Sequence, residues 1–193
     1  MTQVVIPPAL HDVLGKYQSQ SSLVLVGSVA VIAVIATTPA LANVPLWRGA
    51  LAALLIADIA AGAIANVTEG TNDHYASRPR SRWVFLGVHL HLPIVALLLG
   101  APVMPALVVW ATTIAAGSIV NLLAGRASQR VAAGAAFTAI VCLVLIFPEQ
   151  PPELMVVSVL FAFKVVYAFA VDHSAIDYRA VDESSDSLPG VDA

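Results

Sequence analysis

Charge is scarce in this chain. Only 11% of its 193 residues are Asp, Glu, Lys or Arg, where a soluble domain carries about 25%. There is one cysteine, Cys142, set in an apolar run. That excludes an intrachain disulfide framework and a Cys-based zinc motif. No basic tract suited to nucleic acid is present, and the net charge is −3. The sequence has no His-Glu-x-x-His, no Gly-x-Ser-x-Gly, no phosphate-binding loop and no dinucleotide fingerprint. Function must therefore be sought outside the familiar catalytic signatures.

Apolar residues are abundant. They make up 59% of the chain, and the mean hydropathy is +0.88. A globular domain of this length cannot hide so much apolar surface, because surface grows too fast relative to volume at this size. Lipid must be the solvent for most of it. A helical span needs about 20 predominantly apolar residues. Six stretches qualify: 22–41, 46–66, 83–99, 103–123, 131–147 and 153–172. Turn and breaker residues separate them: Pro39 and Pro45, the polar run 69–82, Gly100 with Pro102, and the segments 125–130 and 148–152. Spans in hydrocarbon must be helices or closed barrels, since an open sheet would strand backbone groups in lipid. The expected fold is all-α, a polytopic bundle of six spans over residues 22–173.

The cationic residues set the expected orientation. With six alternating spans, Lys16, Arg78, Arg80, Arg82, Arg126, Arg130 and Arg179 all fall on one side, against Arg48 on the other. This positive-inside bias places both termini in the cytoplasm and the protein in the cell membrane. An alternative is a signal-peptidase site at Ala40-Leu41-Ala42, which would leave five spans; the long n-region bearing Asp12 argues against it. Residues 1–21 form a cytoplasmic segment in which Leu10, Val13, Leu14 and Tyr17 recur at helical spacing. They suit a short helix on the membrane surface, with a frayed terminus as the alternative. Residues 174–193 are acidic, lose the apolar pattern and read as a disordered tail. Rows of small residues such as Ala57, Ala61 and Ala65 point to close helix packing and leave room for a homo-oligomer.

Ionisable groups inside spans are rare and usually paired or functional. Asp58 lies 13 residues after Pro45, and Lys164 lies 12 residues after Pro152. At ~1.5 Å per residue both sit about 18–20 Å from the outer boundary, on helices that run in the same direction. The expectation is an Asp58–Lys164 ion pair. It would serve as a titratable or ligand-binding site, or else only fix helix register. A second polar layer lies nearer the cytoplasm, where Asn66, Asn121, Asp172 and His89 would form an access path. His91, two residues beyond His89 on a continuous helix, would point the opposite way. Pro93 would weaken the backbone ladder beside them.

The polar run between the second and third spans reads as a solvated connector. It is also a candidate mouth, with Arg78, Arg80 and Arg82 binding an anionic head group. Three functions fit these features. The first is a small permease or carrier for a solute or ion, working through the charged pair. The second is a membrane-embedded enzyme acting on a lipid or isoprenoid at the cytoplasmic face. Its chemistry would come from Asp73, His74, His89 and His173, with zinc as an optional cofactor. No metal site is firmly predicted, because His89 and His91 lack the i, i+4 spacing that puts two ligands on one helix face. The third is an assembly or scaffold protein whose buried charges only order its helices.

Overall fold

The computed structural model describes residues 3–76 and 78–173. The expected acidic tail at 174–193, including Arg179, lies outside the described residues. The chain folds as a bundle of helices: α1 (His11–Leu14), α2 (Gln20–Ala36), α3 (Thr38–Ala42), α4 (Leu46–Ala65), α5 (Glu69–Ala76), α6 (Pro79–Val88), α7 (His91–Leu99), α8 (Val103–Leu122), α9 (Gln129–Leu145) and α10 (Pro152–Ala162). A π-helical stretch, Phe163–Phe169, continues α10. Four helical segments are long and apolar enough to cross a membrane: Leu46–Ala65, Pro79–Leu99, Val103–Leu122 and Pro152–Phe169. Gln20–Ala36 and Gln129–Leu145 are apolar but shorter, at 17 residues each.

The last helix forms the centre. It packs against α4, α7, α8 and α9, while α2 lies along the outside of α4. Phe161, Leu154, Val157 and Val165 on this helix are fully buried, as are Ile56 and Ile59 of α4 and Leu92 and Val95 of α7. The outer surface of the bundle is itself apolar, with Val31, Ile32, Leu54, Leu97, Met104 and Val131 exposed. A helix surface of that kind suits a lipid surround rather than water.

The third apolar stretch is two helices, not one. Pro93 has no N–H to give the carbonyl four residues back, and its ring crowds that carbonyl. The residue four back is His89, and there the helix breaks. His89 takes φ −80°, ψ 65° and Leu90 φ −88°, ψ 11°. The freed His89 carbonyl is not left bare, because Trp110 Nε1 of α8 donates to it at 2.7 Å. Beyond the break α7 packs on α4. Before it, α6 leans instead on α8 and α5. A cleft lies between α4 and α6, lined by Asp58 and Gly62 on one side and Val84, Phe85 and Val88 on the other.

The amino-terminal segment is not the surface helix expected from its spacing. Gln3–Val5 (β1) pairs antiparallel with Tyr17–Ser19 (β2), enclosing the single turn of α1. Side-chain amphipathicity set the expectation; backbone pairing and glycine contact decided the outcome. Gly15 has φ +69° and sits so close to the Gly70 carbonyl that a Cβ there has no room, and a Cβ at Gly70 would run into the Tyr17 carbonyl. The polar run after α4, read as a solvated connector, is also helical as α5, with this hairpin docked on it. Tyr75 of α5 donates to the Asp12 carbonyl at 2.8 Å, and Gln18 Nε2 donates to Thr68 Oγ1 at 2.6 Å.

Candidate functional site

Asp58 and Lys164 are in contact. Lys164 Nζ donates to Asp58 Oδ2 at 2.7 Å and to the Asp58 main-chain oxygen at 3.3 Å. Lys164 is only 3% exposed, whereas the Asp58 side chain is 36% exposed toward the cleft. Two local features let the long lysine side chain lie flat against α4. Gly62 supplies clearance, since a Cβ there would lie 2.8 Å from Nζ. The π-helical stretch that carries Lys164 closes with Ala170 N–H donating to the Val165 carbonyl, and such wider turns are frequent at functional sites.

Both histidines of the third stretch join this pair. His91 Nε2 lies 3.5 Å from Asp58 Oδ2, and the His89 and His91 rings are 4.9 Å apart. The expectation that they point opposite ways assumed an unbroken helix. The break at His89 and Leu90 turns both toward α4. His91 is the first residue of α7, and its ring reaches Asp58 from the start of that helix. His89 Nδ1 lies 2.5 Å from the Phe85 carbonyl oxygen. A carbonyl oxygen only accepts, so Nδ1 carries the proton and Nε2 presents a lone pair.

These groups line a cavity of about 330 Å³. Its floor is Asp58, Gly62, Lys164, His89 and His91, with Asn66 toward the hairpin end. Phe85, Val84 and Val88 form one wall, and Val84 and Val88 face outward from the bundle. Asp12, Val13 and Tyr75 line the hairpin end. On the far side of the pair the packing is dense: Ala52, Ile56, Leu92, Val95 and Ala96 have no exposed surface. Three buried polar atoms on the lining residues have no hydrogen-bond partner among the described residues: Asn66 Nδ2, His89 Nε2 and His91 Nδ1. Buried polar atoms are nearly always satisfied, so three on one cavity mark it as a place where a ligand or water belongs.

The remaining candidates lie elsewhere. Asn121 is buried on α8, and Asp172 follows the π-helical stretch with its N–H donating to Gln129 Oε1 at 3.3 Å. Neither lines the cavity, so of the expected access path only Asn66 and His89 reach it. Arg82 is not a surface head-group ligand. It is 7% exposed and donates to the Phe169 carbonyl at 2.9 Å and the Val171 carbonyl at 3.4 Å, closing the end of the last helix as cations do there. Arg78 and Arg80 remain exposed. Arg78 donates to the His74 ring, whose Nε2 lies 3.1 Å from Asp12. Arg78, His74 and Asp73 border a second, wider recess of about 980 Å³ beside Lys16 and Ser22. His173 sits against the Tyr167 and Ala168 carbonyls at 3.3 and 3.2 Å, and burial holds its pKa below the usual histidine value. Burial, with Asp12 nearby, pushes the Tyr75 phenol up to about 12. The four proposed catalytic groups are thus dispersed, with only His89 at the cavity. Among the described residues no group of three or more His, Cys, Asp or Glu is placed to hold a metal ion.

Sequence reasoning missed Gly62, the π-helical stretch and the role of His91. Gly62 sits one turn from Asp58, and a glycine beside a buried acid was a readable sign of close approach. No known family model matches the chain, and neither does any curated protein or solved structure compared with it.

Proposed function

We propose that this chain is a small-solute or ion carrier with six spans and both termini in the cytoplasm, binding its cargo at the Asp58–Lys164 pair. The observation that carries the reading is a charged pair on the floor of a cavity that reaches one end of the bundle and is sealed at the other. A carrier needs polar groups at mid-depth, access from one side at a time, and an element that can change angle. The pair supplies the first and the cavity the second. The two non-helical residues between α6 and α7 supply the third, because little backbone hydrogen bonding must be broken to flex them. The positive-inside count supports the orientation, with the hairpin end facing the cytoplasm.

Reconstitution in proteoliposomes provides the test. Wild type is expected to carry flux of a proton or monovalent-cation tracer, and Asp58→Asn to lower it at least about tenfold. Equal flux at equal incorporation removes the pair from any transport mechanism.

One observation favours a second reading, an enzyme acting on a lipid at the cytoplasmic face. The cavity wall formed by Val84, Phe85 and Val88 is apolar and faces outward, which suits entry from the membrane. In that reading the acid–base group is His89 with Asp58 and His91, rather than Asp73, His74 or His173. Conversion of a lipid by purified protein, lost in His89→Phe, would favour it; retention of conversion with a chelator present would exclude a zinc-dependent form.

A further inference from the structure

We infer that the cavity beside Asp58 takes an uncharged amphiphile headed by a hydroxyl group, such as a long-chain or isoprenoid alcohol, entering from the membrane between α4 and α6. This rests on the proposed role of the cavity as the ligand site and names the class of ligand. Charge comes first. Asp58 and Lys164 already neutralise each other at 2.7 Å. A neutral head group leaves that pair intact, whereas a charged one would compete with one partner for the other. Hydrogen bonding comes second. The unmet groups on the wall are of both kinds: His89 Nε2 presents a lone pair, and Asn66 Nδ2 presents N–H. A hydroxyl at the floor can donate to His89 Nε2, while Asn66 Nδ2 lies toward the hairpin end. An ether or ester can only accept and leaves His89 unmet; a hydrocarbon leaves both. Shape comes third. The volume of about 330 Å³ exceeds a head group and admits part of a chain, which the wall of Val84, Phe85 and Val88 would hold. Those two valines face outward from the bundle, so the rest of the chain would remain among lipid tails.

The test uses full-length protein in nanodiscs and two photoreactive probes. One is a twelve-carbon alcohol bearing a diazirine in its chain, and the other is its methyl ether. Crosslinked peptides are quantified by mass spectrometry. The alcohol is expected to label residues 84–88 and 58–66 about tenfold more than the ether, competed by unlabelled dodecanol. His89→Phe is expected to abolish that preference and Val84→Trp to block labelling by both probes, while thermal melting confirms that each variant is folded. Should either variant fail to fold, His89→Leu and Val88→Trp take their places. Equal labelling by alcohol and ether, or an undiminished preference in the folded His89 variant, would overturn the assignment. The readout is binding and not flux. A carrier that fails in proteoliposomes but labels selectively would still have an alcohol site, and one that transports without selective labelling would not.

Discussion

At the scale of single residues, Asp58, Lys164 and Gly62 form one unit. Removing one member of a buried ion pair typically costs about 3–5 kcal/mol, because the other charge is left unpaired. Asp58 is over a third exposed to the cavity, so water can reach it and the cost here should be smaller. Lys164→Met is expected to destabilise by about 1–3 kcal/mol, seen as a lower melting temperature in detergent. The double variant Asp58→Asn with Lys164→Met should recover most of that loss, with a coupling of about 1–2 kcal/mol in a double-mutant cycle. Additive losses would mean that the two groups do not depend on each other. The exchange Asp58→Lys with Lys164→Asp separates register from function. Gly62 is matched to a lysine arriving from the last helix, and a lysine at 58 would meet no such clearance. Folding with lost flux is the expected outcome, whereas retained function would mark the charges as devices for helix order alone.

At the scale of elements, the broken third helix decides what the cavity is. Pro93→Ala restores an N–H able to reach the His89 carbonyl, which Trp110 now occupies. Continuous helix through 89–90 would swing α6 toward the axis of α7 and narrow the cleft against α4. The variant is expected to melt close to wild type, because Pro93 lies in the first turn of α7, where a proline is tolerated, yet to lose flux and probe labelling about tenfold. Unchanged labelling would show that the break does not hold the cleft open. This element also marks the boundary of what the sequence could reveal. Six apolar stretches are legible because lipid demands a long, uninterrupted run, and the depth of Asp58 and Lys164 follows by counting from Pro45 and Pro152. Their contact at 2.7 Å was foreseeable on those grounds. The directions of His89 and His91 were not, because a two-residue break discards the helical rotation on which face assignments depend. Helix α5 was hidden for another reason: its polar residues have little intrinsic preference for helix. Tertiary contacts with Asp12 and Gly15 hold it, and those come from a hairpin formed by distant residues. The inward turn of Arg82 toward the end of the last helix is likewise a property of packing that a charge count cannot show.

At the scale of the whole molecule, the question is which end of the bundle faces the cytoplasm, since the cavity and hairpin share that end. The four long apolar helices do not orient themselves, and the two of 17 residues would span only about 26 Å at ~1.5 Å per residue. A hydrocarbon core of about 30 Å can adjust to that length by local thinning or by snorkelling of flanking residues. Arg130 at the start of α9 is exposed, and Ser19 with Ser22 opens α2, where head groups would lie. The cationic bias then argues for the hairpin end as the cytoplasmic one. Cysteine accessibility gives a direct check. Cys142 is replaced by serine, and single cysteines are placed at Asn43 and Glu149 on one side and at Arg80 and Ser128 on the other. In intact cells an impermeant maleimide is expected to label positions 43 and 149 at once, and positions 80 and 128 only after permeabilisation. A further single cysteine at Lys16 extends the check to α2: without a crossing there, positions 16 and 43 would share one side; without a crossing at α9, positions 128 and 149 would be labelled together. In the second case the last helix would have to enter from the side of position 128 or not cross at all. Asp58 and Lys164 would then lie on antiparallel helices, so the parallel geometry of α4 and α10 around the charged pair stands or falls with this labelling pattern.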